Sequence, residues 1–312
     1  MTLMTSVGFL FPGQGAQFVG MGRDLYENFP SAKAIFDRAD TLLGYSLSRL
    51  CFEGPEEQLT RTLYAQPAIY VMSLAVLAVI KEKFPGIKPA FTAGLSLGEW
   101  TALAAADALA WEEGLKLVTI RAEAMEASAK KSPGTMASVL GLSLELCRQA
   151  ASEAGCEIAN LNSPDQIVLS GTVDSVTKVI PLAEAKGAKK VIPLKVGGAF
   201  HSSLMNAARE ILVKALREVT LKAPLCAFIP NATASQTADP AVIKELLARQ
   251  VTSSVRWVES MEAAEKSGVG LFLELGPGKV LKGLARKCGL TAPVEPCGSK
   301  EDIEKLTASL QE

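Results

Sequence analysis

Histidine is almost missing from this sequence: among 312 residues there is one, His201. That scarcity excludes a multi-histidine zinc, copper or iron site, and it forces the choice of imidazole for any reaction that needs a base near neutral pH. The six cysteines, Cys51, Cys147, Cys156, Cys226, Cys288 and Cys297, include no C-x-x-C pair. Scattered reduced thiols are therefore expected rather than a zinc or iron–sulfur centre or a disulfide framework, and no metal site follows from the sequence. Neither sign of charge dominates, because 32 Lys and Arg stand against 33 Asp and Glu. Such a balance gives no global field to attract nucleic acid or an anionic membrane, so neither partner is expected. The longest apolar run, AIYVMSLAVLAVI at 68–80, is short for a bilayer and ends at Lys81, Glu82 and Lys83, which suits a buried helix. The opening MTLMTSVGFLFPGQG lacks a basic leader and a small-residue cleavage site, so residence in the cytosol or its organellar equivalent is expected.

What the chain does have is enough apolar material, 48% of its residues, for a large core. SVGFLF at 6–11 reads as a strand buried on both faces and stopped by Pro12-Gly13; PAFTAGL reads as a second. Helical spacing runs through 63–83, near 98–106 and over 112–128, which makes the pattern α/β. Between about 134 and 192 the order becomes βαββαβ, the ferredoxin-like signature, through TMASVLGL, SLELCRQAASEAG, EIANLN, QIVLSG, TVDSVTKVIPLAEAKG and KKVIPL. Larger helices then resume at 201–219 and 240–250, with strands at 226–230 and 270–276. The expected fold is a large α/β domain with a central parallel sheet, formed by 1–130 and 199–312, carrying a ferredoxin-like small domain at 131–198.

Gly94-Leu95-Ser96-Leu97-Gly98 fits G-x-S-x-G between a predicted strand and a predicted helix, the setting of a nucleophile elbow. A sharp strand-to-helix turn has no room for side chains on either side of the serine, and the helix N-terminus beyond it can stabilise developing negative charge. The same five residues also fit a serine that merely caps a helix from a Gly-rich turn. A serine hydroxyl needs a base, and the only histidine available is His201, which follows KVGGAF and precedes a helical stretch in which Ser202 would be the N-cap. That helix N-terminus would keep the imidazole neutral, although a lone histidine also fits one merely bonded in a loop. No Asp or Glu stands in an obvious third position, and Asp165 reads as a turn residue, so a backbone or amide oxygen could complete the dyad.

FPGQG at 11–15 is neither a dinucleotide fingerprint nor a P-loop. It is a tight turn, or a loop whose N–H groups complete an oxyanion site. Arg121 shares a helical face with Leu117, Val118 and Met125, so it points where apolar side chains point unless it snorkels out. Facing a cleft, its guanidinium would grip a carboxylate, and the acyl group would then be a dicarboxylate half-ester.

With FPGQG, GLSLGEW, RAEAM and GAFHSSLM in that order, joined by NSPDQIVLSG at 162–171 and ELGPGKVLKGL at 274–284, the sequence resembles the malonyl-CoA:acyl carrier protein transacylases and the related acyltransferase domains of polyketide synthases. The resemblance spans nearly the whole chain. It implies a hydrolase-like α/β domain with a ferredoxin-like insertion, malonyl-CoA and holo acyl carrier protein as partners, and no cofactor beyond the thioester substrate and the partner's phosphopantetheine. It further implies Ser96 as acyl-carrying nucleophile, His201 as general base and acid, and Gln14 and Leu97 as oxyanion-hole residues through their backbone N–H groups. Arg121 would hold the malonyl carboxylate, the Gln250 main-chain carbonyl would steady His201, and Asn162 would lie in the cleft. Phe200, in GAFH, would crowd an α-methyl branch and so favour malonyl units. The sequence departs from the family at Leu95, where the pattern usually has histidine.

An acidic carrier protein would meet a local basic patch, for which Lys189, Lys190, Lys282, Arg286 and Lys287 are the candidates. The free-standing chain suggests fatty acid synthesis, and a monomer is expected. A serine hydrolase or thioesterase acting on acyl thioesters is the alternative, with water in place of the carrier thiol; an inward Arg121 argues against neutral acyl groups. A non-catalytic carrier-binding module would need neither Ser96 nor His201.

Overall fold

The computed structural model describes residues 6–311. Five strands, β1 (Val7–Phe11), β2 (Pro89–Gly94), β7 (Ala227–Ile229), β8 (Leu271–Glu274) and β9 (Val294–Pro296), form a parallel sheet in the order β7-β2-β1-β8-β9. Every residue of β1 is buried, as a central strand covered on both faces requires. In register, Phe11 lies beside Gly94, Leu10 beside Glu274 and Ala93 beside Ile229. The carboxyl ends of four strands therefore share one edge, where open parallel sheets place their ligands.

The apolar run at 68–80 belongs to a longer helix, Thr62–Lys83. Its 22 residues and mean hydropathy of 1.9 would suffice to cross a bilayer, but 83% of its apolar window is buried inside the fold. Packed beside it is helix Trp111–Lys131, and together they build the main core with Tyr70, Met72, Leu117 and Val118.

The second sheet is antiparallel and contains β3 (Gly134–Leu140), β4 (Glu157–Ser163), β5 (Gln166–Thr172) and β6 (Lys190–Pro193) in the order β4-β5-β3-β6. With helices Leu144–Ala154 and Val173–Ala185 the chain order is βαββαβ, as the sequence pattern predicts. Ser143 and Thr172 accept hydrogen bonds from the first turns of these helices and fix their starts. A core of its own, including Val139, Cys147, Leu169 and Val179, lies under this sheet. Val255 stitches the small sheet to the rest of the chain: its N–H donates to the Ala159 carbonyl at 2.8 Å, and its carbonyl accepts from Leu161 at 2.9 Å.

Candidate active site

The strand-to-helix turn after β2 is built by two glycines. A Cβ on Gly94 would run into the backbone of Gly98, and one on Gly98 into the Phe11 carbonyl at the end of β1. Leu95 donates its N–H to that same Phe11 carbonyl at 3.0 Å, which anchors the turn to the sheet. Ser96, at the apex, has φ of +52°, and His201 has φ of +56°. Left-handed backbone costs a non-glycine residue about 1–2 kcal/mol and concentrates at functional sites. Helix Gly98–Ala105 starts directly beyond Ser96.

Ser96 Oγ lies 2.8 Å from His201 Nε2, and His201 Nδ1 lies 2.9 Å from the Gln250 carbonyl oxygen. A carbonyl only accepts, so Nδ1 carries the proton and Nε2 turns its lone pair to the serine hydroxyl. Burial, reinforced by the Arg121 charge, pushes the His201 pKa down to about 4, against the Gln250 hydrogen bond that raises it. The imidazole is thus neutral at pH 7. The cause differs from the one the sequence suggested, because Ser202 caps no helix: its hydroxyl donates to the Ala199 carbonyl, and a 3-10 turn at Ser203–Met205 separates it from helix Asn206–Arg217. Dehydration of the ring replaces the helix N-terminus as the reason it is neutral.

Arg121 is 1% exposed. Its Nη1 donates to Gln66 Oε1 at 2.5 Å, and its Nη2 donates to Ser96 Oγ and Gln250 Oε1, each at 3.0 Å. Nε is buried without a partner, and no carboxylate pairs with this guanidinium among the described residues. Desolvation lowers its pKa to about 10, which leaves it a cation at pH 7.

A cavity of about 230 Å³ joins these groups, bringing Gln14, Ser96, Arg121, Asn162, Phe200 and His201 to one wall system. Leu97 is fully buried behind Ser96, and its backbone N–H, like that of Gln14, donates to no group among the described residues. Gln14 is held from Thr62 by a side-chain hydrogen bond of 3.2 Å. Asn162 reaches the cavity from β4 with an unpartnered Oδ1, and Leu95 lines it beside Ser96. Asp165 lies in the β4–β5 turn, bonded to Ser163 and 3.8 Å from Lys287, away from the dyad. Of the basic candidates, Lys282 and Arg286 line a separate surface groove and Lys282 pairs with Glu295 at 3.2 Å.

Three residues unassigned from the sequence touch this machinery. Gln66 is a lone amide inside the apolar Thr62–Lys83 helix, Asn231 follows the end of β7, and Glu99 is the acidic residue of GLSLGEW. A polar residue in a long apolar run, and a carboxamide just past a strand end, were the available signals.

A model of the family described as acyl transferase domain matches residues 8–300. A malonyl CoA-acyl carrier protein transacylase of Bacillus subtilis (strain 168) is 44% identical over 314 residues, covering 99% of this chain and 98% of that protein. The crystal structure of an acyl-carrier-protein S-malonyltransferase from Bartonella henselae matches with a TM-score of 0.94 at 37% identity, over 98% of this chain and 100% of that one. A malonyl-transacylase solved in complex with its type II polyketide-synthase acyl-carrier protein matches with the same TM-score of 0.94 at 33% identity, over 99% of this chain and 100% of that one. The parallel sheet, the serine elbow at its carboxyl edge and these likenesses agree: the chain belongs to the acyltransferase family of the malonyl CoA-acyl carrier protein transacylases.

Proposed function

We propose that this enzyme transfers malonyl from malonyl-CoA to the phosphopantetheine thiol of holo acyl carrier protein, supplying fatty acid chain elongation. The observation that carries the reading is one hydroxyl with two neighbours: Ser96 Oγ is 2.8 Å from an imidazole nitrogen and 3.0 Å from a buried guanidinium that feels the Glu99 charge but is salt-bridged to no carboxylate among the described residues. Nucleophile, base and an anion-binding group thus face the same small cavity.

His201 Nε2 takes the hydroxyl proton as Ser96 Oγ bonds to the thioester carbon. The carbonyl oxygen becomes an oxyanion, held by the N–H groups of Gln14 and Leu97. Collapse of that intermediate breaks the C–S bond, and His201 returns the proton to the departing CoA sulfur. A malonyl-serine ester remains, its free carboxylate on Arg121. The carrier's thiol then gives its proton to His201 and attacks the ester, and Ser96 leaves with that proton. The Gln250 carbonyl accepts the hydrogen bond from Nδ1–H throughout and steadies the transient imidazolium, the task a carboxylate performs in a triad. Phe200 narrows the cavity against an α-branch, and Asn162 offers its free amide to the bound arm.

In this reading the small sheet, within 131–198, is a domain that forms one wall of the cleft over a catalytic body made of 1–130 and 199–312. The enzyme works as a cytosolic monomer without metal or cofactor. The exposed lysines and Arg286 beside the carboxyl-terminal groove, with Lys189 and Lys190, attract the acidic carrier.

Intact-protein mass spectrometry tests the chemistry. Wild type mixed with malonyl-CoA gains one malonyl group and yields it to holo carrier protein, whereas Ser96→Ala gains none. Absence of the adduct in wild type would sink the mechanism, and release as free malonate without carrier loading would make the enzyme a hydrolase.

A further inference from the structure

Glu99 is wholly buried in the first turn of helix Gly98–Ala105, and it has no place in the chemistry above. Its Oε2 accepts two hydrogen bonds, from the Asn231 backbone N–H at 3.0 Å and from the Gln250 side-chain amide. These two partners hold Ser96 from opposite sides. Asn231 Oδ1 accepts the Ser96 N–H at 2.7 Å while its Nδ2 donates to the Gly94 carbonyl at 2.7 Å, and Gln250 Nε2 donates to the Ser96 carbonyl at 2.8 Å. Both backbone polar groups of the left-handed serine are therefore bonded by the side chains of two residues that Glu99 Oε2 ties together, Asn231 through its backbone N–H and Gln250 through its side-chain amide.

The same amide reaches the rest of the site. Gln250 Oε1 accepts from Arg121 Nη2, and the Gln250 backbone carbonyl receives His201 Nδ1. Its orientation is chemically determined: Ser96 O and Glu99 Oε2 can only accept from Nε2, and Arg121 can only donate to Oε1. Reversing the amide would face oxygen to oxygen and N–H to N–H.

A carboxyl buried merely for packing would be better replaced by an apolar side chain, since its desolvation is unfavourable and Glu99 Oε1 finds no partner at all. Left-handed serine persists only where its surroundings over-determine it. We propose that Glu99 is a positioning residue for acyl transfer, holding Asn231 and Gln250 so that Ser96, His201 and Arg121 stay in line. This inference rests on the reading of Ser96 and His201 as nucleophile and base. Burial also pushes the Glu99 pKa up to about 7, so it is the acceptor oxygen, more than a full negative charge, that the arrangement uses.

The test compares Glu99→Ala, which removes the acceptor, with Glu99→Gln, which keeps an oxygen at that reach, and Glu99→Asp, which retracts it by one methylene. Two rates are read on the full chain. One is modification of Ser96 by an organophosphorus fluoridate, in which the Oγ–P bond forms, P–F breaks, fluoride leaves and His201 takes the proton. The other is kcat for malonyl transfer to holo carrier protein, normalised to titratable Ser96. Misplacement of a nucleophile by about 1 Å costs on the order of 10²-fold, so Glu99→Ala should lose both rates by a common factor of roughly that size, with KM changing far less. Glu99→Gln should stay within about threefold, as rescue by the retained acceptor. Should Glu99→Ala not fold, Glu99→Asp carries the comparison with a smaller, parallel loss in both rates. Wild-type rates per titrated Ser96 in Glu99→Ala or Glu99→Asp, whatever their melting temperatures, would overturn the proposal, as would a Glu99→Gln as slow as Glu99→Ala. If wild type reacts with the fluoridate but loads no carrier, the malonyl reading fails while the fluoridate series still decides Glu99.

Discussion

Replacing Arg121 by alanine separates what the guanidinium does for binding from what it does for the base. In the resting site Nη2 is shared between Ser96 and Gln250, and Nε is buried with no partner. An incoming carboxylate can take Nε together with one Nη in the planar fork that guanidinium offers. Two charge-assisted hydrogen bonds of about 1.5–3 kcal/mol each make roughly 3–6 kcal/mol, or about 10²–10⁴-fold in kcat/KM for malonyl-CoA. Acetyl-CoA brings no carboxylate, so its slow transfer should change by less than about tenfold. There is a second effect with its own sign. The Arg121 charge is one of the causes that hold His201 down at about 4. Neutralising that charge, whether by a bound carboxylate or by Arg121→Ala, moves the imidazole back toward 6.5. The acid limb of acylation, where His201 gains a proton and stops acting as base, should therefore lie higher for malonyl-CoA than for acetyl-CoA in wild type. In Arg121→Ala the two limbs should coincide. Rapid-quench mass spectrometry of the acyl-enzyme from pH 4 upward measures both effects. Equal losses for the two thioesters, or limbs that coincide in wild type, would refute the assignment.

Three further expectations follow from single contacts. Gly98→Ala puts a Cβ against the Phe11 carbonyl, a backbone atom that cannot swing away, so it should destabilise the fold by about 1–3 kcal/mol and slow Ser96 acylation; an unchanged denaturant midpoint would contradict the elbow geometry. Phe200→Val widens the cavity beside His201 and should raise kcat/KM for methylmalonyl-CoA relative to malonyl-CoA by roughly tenfold, read in competition with both thioesters. Glu99 holds its proton more tightly folded, at about 7, than unfolded, at 4.5, so its contribution favours the folded state below pH 4.5 and is lost as pH rises through 7. Glu99→Gln removes that dependence and should gain roughly 3 kcal/mol on wild type between pH 4.5 and 8 in urea titrations; a constant difference would mean Glu99 is ionised throughout.

The parallel core strands were legible because continuous apolar runs next to glycines have few other uses, and the βαββαβ order because each element there is short and bounded by turn residues. Asn231 and Gln66 were not legible. Their roles depend on which strand end and which helix face meet the elbow, a relation across the chain that local periodicity does not encode. Ser202 misled for a related reason: a serine before a helical stretch predicts a cap, but the left-handed turn at His201 and the 3-10 step after it carry the hydroxyl back to Ala199. Tertiary demand on His201 overrode the local capping preference.

Leu95 stands where the motif that the sequence resembles would place a histidine, and the structure shows what the elbow uses at this position. What the turn needs from position 95 is its backbone: the N–H donates to Phe11 and the carbonyl accepts from Gly98, both at 3.0 Å, and neither depends on the side chain. The side chain instead lies over Gly13 and forms an apolar part of the cavity wall beside Ser96. With no second imidazole beside the serine, the proton chemistry at this site has a single carrier. The polar groups that tune that carrier are the Gln250 and Ser253 backbone and the Arg121 charge rather than a triad carboxylate. Basicity at His201, held down first by burial, is then tuned further by whether Arg121 is neutralised, which makes the charge of the acyl group, and not only its shape, a determinant of which thioesters react.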